Sequence, residues 1–136
     1  MVLANGAEAV NGQHYILGGG FDGINAPAVP ATHPRLSVAL KVCVPYEATS
    51  NEHRLELVIL DQDGKNVGDP FDGKFEAGRP PGMRSGDHAS LIVAMNFLNV
   101  QFNSYGTYSV VCRLDGSEEH RTTFKVSPML PPGLPT

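Results

Sequence analysis

The chain has 136 residues, 41% of them hydrophobic and 18% charged, and a formal net charge of −4. That length suits one domain large enough to hold a core without a covalent staple. Ten Lys and Arg scattered singly on an acidic background argue against nucleic acid and against an anionic membrane surface as partners.

The opening Met-Val-Leu-Ala-Asn-Gly lacks the basic and apolar regions of a secretion signal, and no apolar run approaches the ~20 residues of a membrane span. A cytoplasmic protein, or one that leaves the cell without a cleaved signal, is the expectation. In chain order, a short strand is expected at 7–10 and another over 13–17, joined by Asn11-Gly12. Both turn residues tolerate positive φ, which makes the pair a strong hairpin signal. Gly18-Gly19-Gly20 follows without a helix or a lysine, so it reads as a bent strand rather than a phosphate loop. Three prolines over 25–34 exclude a helix there.

The clearest strands come next. Leu36, Val38, Leu40, Val42 and Val44 fall on one side of a two-residue repeat, as do Leu55, Leu57 and Ile59. Ser37, Lys41, Arg54 and Glu56 take the other side. These patterns place strands at 35–44 and 53–60, and a short one fits 73–77. Residues 89–97 suit either a strand or a helical face, and the strand agrees better with its all-β surroundings. A last hairpin, 106–114 with 118–126, turns at Asp115-Gly116. The fold class expected is all-β, a single antiparallel β-sandwich of about 7–8 strands over 1–126. A Pro-rich extended arm follows at 127–136. Cys43 points away from the core side of its strand and Cys112 toward it, so both read as free thiols.

Few residue groups suggest chemistry. Asp61, Asp63 and Asp69 are weak candidates for calcium; Lys65 stands where a helix–loop–helix site needs an oxygen ligand, so a hairpin turn is preferred. The five histidines lack metal-ligand spacing. Ser85-Gly86-Asp87-His88 is a tight cluster of catalytic residue types, but neighbours in an extended chain diverge, and it reads as a turn. Without Trp, a flat sugar-binding platform is disfavoured. Arg79 and Arg84, on the stiff loop around Pro80-Pro81-Gly82, suit carboxylate or phosphate partners, with a solvated turn as the plainer alternative. In the arm, Met129, Leu130 and Leu134 are candidates for docking on a neighbouring subunit.

Laid out in order, certain segments resemble a family of small bacterial proteins known only as a domain of unknown function. They are Leu17-Gly18-Gly19-Gly20-Phe21-Asp22-Gly23-Ile24, then Val44-Pro45-Tyr46-Glu47 leading to His53-Arg54-Leu55, and Gly78-Arg79-Pro80-Pro81-Gly82. Ala94-Met95-Asn96-Phe97 and Gly106-Thr107-Tyr108 continue the likeness, which reaches Val126 and leaves out the arm. The resemblance implies an all-β fold and brings no catalytic residue, cofactor or substrate with it. The expected function is therefore non-enzymatic: a binding or assembly module acting through its surface, on itself as a homo-oligomer or on another protein. A structural component of a larger particle fits the same features. The alternative is a small-ligand- or metal-dependent protein or enzyme that gathers His14, Asp22, His53 and His88 into one pocket.

Overall fold

Two strands of 15 residues dominate the molecule, and both are centred where apolar side chains alternate, over 36–44 in one and 91–97 in the other. The computed structural model describes residues 1–129. Its strands are β1 (Val2–Ala4), β2 (Gly6–Val10), β3 (Gln13–Leu17), β4 (Gly23–Ala26) and β5 (Ala31–Pro45). They continue as β6 (Glu52–Leu60), β7 (Phe71–Glu76), β8 (His88–Phe102), β9 (Gly106–Leu114) and β10 (Ser117–Pro128). One 3-10 turn lies at Tyr46–Ala48, and no helix is long and apolar enough to cross a membrane among the described residues.

The strands form three sheets. β5 and β8 pair antiparallel along their whole lengths, and β1 adds to the other edge of β5. The second sheet has the order β4-β10-β9-β6-β7. β2 and β3 form a separate two-stranded sheet. The segment at 89–97 is a strand, as its alternation suggested. Leu91, Val93, Met95 and Phe97 stand opposite Val42, Leu40, Val38 and Leu36, which puts them on one face.

The architecture is all-β, but two expectations need correction. Ten strands are present among the described residues rather than seven or eight, because three- and four-residue strands such as β1 and β4 are too short to show a repeat. The pairing is mixed rather than wholly antiparallel, since β4 runs parallel to β10, from Gly23 opposite Lys125 to Ala26 opposite Pro128. Parallel partners need a long crossover and carry no local signature. β10 therefore runs two residues into the segment read as the arm, and the Met129 amide bonds to the Ala26 carbonyl at 3.0 Å.

One apolar cluster draws on both larger sheets. Leu36, Val38, Leu40, Val42 and Val44 of β5 meet Leu55, Leu57 and Ile59 of β6, Val110 of β9 and Val126 of β10. At its centre Phe102, Tyr108 and Phe124 have ring centroids 4.8 to 5.7 Å apart, in the range where aromatic pairs add to plain burial. The Tyr108 hydroxyl keeps a partner by donating to the Ser104 carbonyl at 2.6 Å. Cys112 is buried in this cluster, and burial pushes its thiol pKa up; Cys43 is exposed, and both thiols are free. The glycine run is a bend after β3. The Gly20 amide bonds to the Leu3 carbonyl at 2.8 Å, and a Cβ on Gly19 would lie 2.6 Å from Cγ2 of Ile16.

Candidate functional site

The densest group of reactive side chains sits in a cleft of about 230 Å³ lined by Cys43, His53, Phe75, Asp115 and Glu119. β6 delivers His53, and the tight turn between β9 and β10 delivers Asp115 at φ +51°. The His53 ring bonds on both sides, through Nδ1 to Asp115 Oδ2 at 2.8 Å and through Nε2 to the Ala48 carbonyl at 2.7 Å. Both partners are acceptors, so satisfying both requires a proton on each nitrogen. The Ala48 carbonyl and then Asp115 accordingly raise the His53 pKa. Asp115 is held below the usual carboxylate range by the Arg54 amide at 2.9 Å and then by His53.

Chemically this matters because Cys43 shares the cleft. A thiol nucleophile needs a nearby base with a free nitrogen. In this arrangement both nitrogens of His53 already face an acceptor of the fold. The ring, tilted by 34° against Phe75 at a centroid distance of 5.4 Å, ties the 46–48 turn to the β9–β10 hairpin.

The arginine loop is built in a similar way. Arg79 Nε donates to Thr49 Oγ1 at 2.9 Å, one terminal nitrogen reaches the Tyr46 carbonyl at 3.1 Å, and the guanidinium lies 3.9 Å over the Tyr46 ring. Its donors are thus directed into its own fold. Arg84 is exposed, and its backbone amide bonds to Asp87 Oδ2 at 2.9 Å, which makes 84–87 a turn. Asp61 Oδ1 accepts from the amides of Asp63 and Lys65, both at 2.9 Å, so this carboxylate closes its own loop. Among the described residues no three His, Cys, Asp or Glu side chains are grouped to hold a metal ion.

The histidines named with Asp22 also serve separate places. His14 Nε2 donates to the Val93 carbonyl at 2.9 Å, His53 lines the cleft, and His88 opens β8. Met129 is 56% exposed; Leu130 and Leu134 lie outside the described residues.

A different surface stands out by its chemistry. Seven large hydrophobic residues are exposed among the described residues, and four of them, Val10, Tyr15, Ile16 and Leu17, belong to the β2–β3 hairpin. Two polar contacts hold that hairpin to the sheet below, and a third holds Asn5 just before it. Arg35 Nε donates to the Asn5 carbonyl at 2.6 Å, Asn96 Nδ2 to the Ala7 carbonyl at 3.2 Å, and His14 to Val93. Only Ala7 and Gly6 of the hairpin are buried. Its outer face, with Val10, Tyr15 and Leu17, is open. In the sequence these residues read as an ordinary strand, and the missed signal is that 13–17 holds no Asp, Glu, Lys or Arg.

Against known proteins, residues 1–127 match the model of a family described as Family of unknown function (DUF6941). None of the curated proteins and none of the solved structures matches the chain. The chain belongs to the DUF6941 family, and the match stops where the Pro-rich segment begins.

Proposed function

We propose that this member of the DUF6941 family is a non-enzymatic contact module, a β-sandwich whose two larger sheets enclose the common core and which acts through its surface on copies of itself. The observation that carries this reading is the gathering of exposed apolar side chains on the β2–β3 hairpin. Large apolar groups concentrated on one protrusion suit a contact that removes them from water. The side chains that suggest chemistry are meanwhile engaged within the fold: His53 by Ala48 and Asp115, Arg79 by Thr49 and Tyr46, Asp61 by its own loop. The unpaired thiols suit a reducing cytoplasm. A place in a larger symmetric particle fits the same surface.

Light scattering on the full chain, followed across a concentration series, tests the reading. A mass of two or more 14.5 kDa chains is expected. A mass fixed at one chain up to high concentration counts against self-assembly.

A further inference from the structure

We propose that a second copy of this chain adds to the outer edge of β3, antiparallel, with Tyr15 of each copy facing the other across a two-fold axis. This rests on the contact-module reading and names its partner and its geometry.

Backbone direction sets the register. β2 and β3 are joined by the two residues Asn11 and Gly12, at φ +51° and +72°, and Val10 stands opposite Gln13. In such a tight hairpin the pair beside the turn is hydrogen-bonded, and the pairs alternate from there. Val10–Gln13 and Glu8–Tyr15 are therefore bonded pairs, and the main-chain groups of His14 and Ile16 face outward. Among the described residues no strand pairs with that side of β3.

Two β3 edges meeting antiparallel around Tyr15 place His14 of one copy opposite Ile16 of the other, and the reverse. Those are the residues with free amides and carbonyls. Tyr15 then meets Tyr15 as a non-bonded pair, in which Cα atoms approach to about 4.5 Å and the side chains touch. The hairpin becomes a four-stranded sheet, which relieves the marginal stability of an isolated two-stranded one.

Charge selects a second copy as the occupant. A two-fold contact sets each group near its own image, so a charged edge repels itself. β3 carries no Asp, Glu, Lys or Arg. The other outer edges are charged, short or partly covered. β7 carries Asp72, Lys74 and Glu76; β1 and β4 have three and four residues. β2 carries Glu8, and its Ala7 carbonyl takes the Asn96 side-chain amide. β8 is uncharged over its 15 residues, and its Val93 carbonyl takes the His14 ring. Charge and brevity are the usual ways a sheet edge is kept from pairing, and β3 has neither charge nor cover.

The test uses the full chain and two variants. Tyr15 is 56% exposed, so Tyr15→Lys leaves the core untouched while placing two ammonium groups at the axis. Tyr15→Cys, in a Cys43→Ser background, presents two thiols at a spacing a disulfide spans. The expected result is a dimer for the unaltered chain, a monomer with an unchanged far-ultraviolet circular dichroism spectrum and a cooperative melt for Tyr15→Lys, and a cross-linked band of two chains for oxidised Tyr15→Cys. An oligomer that survives Tyr15→Lys, or fails to cross-link through Tyr15→Cys, overturns the β3 axis while leaving assembly standing. An unaltered chain that stays monomeric at every concentration overturns both.

Discussion

β3 and β7 are both short edge strands, of five and six residues, and they are built on opposite principles. β7 alternates strictly. Phe71 and Phe75 pack against the core, while Asp72 forms a two-pronged pair with Arg54, one prong 2.8 Å long, and Lys74 reaches Glu52 at 3.4 Å. The Arg54 guanidinium lowers the Asp72 pKa from its ordinary value. β3 exposes Tyr15, Ile16 and Leu17 with no charge among them. Surface ion pairs such as those on β7 contribute little to stability. They do keep an unpaired edge solvated and hostile to a second strand. The difference teaches that an edge is described by what it refuses as well as by what it binds, and β3 refuses very little.

Stability separates the hairpin from the body. Phe124 is 1% exposed and touches the rings of Phe102 and Tyr108; Phe124→Ala is expected to cost about 3–5 kcal/mol in urea unfolding. A loss below about 1 kcal/mol would mean that the shared core is not where the fold is held.

The second way to break the comparison is to make β7 resemble β3. The double change Asp72→Val with Lys74→Val removes two of the three edge charges, leaving Glu76 at the end of the strand, while the inward phenylalanines stay. New association at high concentration is expected by light scattering, even in a chain that also carries Tyr15→Lys. A double variant no stickier than its parent would show that edge charge is not the guard.

A smaller effect belongs to the cleft. His53→Ala is expected to cost about 1 kcal/mol, discounted from two charged hydrogen bonds because the ion pair is partly solvated. The pH dependence has a defined sign. His53 is raised above its ordinary 6.5, so its contribution is complete below that value and is lost as pH rises through the folded pKa. Asp115 is depressed, so its share is present above about 3.8 and is lost as pH falls through its folded value. Urea midpoints for the parent should fall as pH rises above about 6.5 and on through the raised folded pKa, and His53→Ala should flatten that fall. Parallel profiles for the two would remove the clamp. The smallest effect is Leu17→Ala, at 67% exposure: within about 0.5 kcal/mol for the monomer.

Local pattern carried much of the fold into view. Asn11-Gly12 and Asp115-Gly116 marked two hairpins, and the alternation in 35–44 and 53–60 marked the core faces of β5 and β6. What stayed hidden depended on distant partners. β4 finds β10 about a hundred residues later, and His53 finds Asp115 across a separation of 62. Arg79 looked free because Tyr46 and Thr49, which bind it, lie 33 and 30 residues earlier. Val10, Tyr15 and Leu17 read as parts of ordinary strands, because a strand pattern does not report whether anything covers its face.

Hydrogen exchange at low and high protein concentration tests the central claim most directly, because it reads both edges in one sample. The amides of His14 and Ile16 are expected to gain protection as concentration rises, while those of β7 stay unchanged. Unchanged exchange in β3, or new protection in β7 instead, would contradict the assignment of the contact to the uncharged edge.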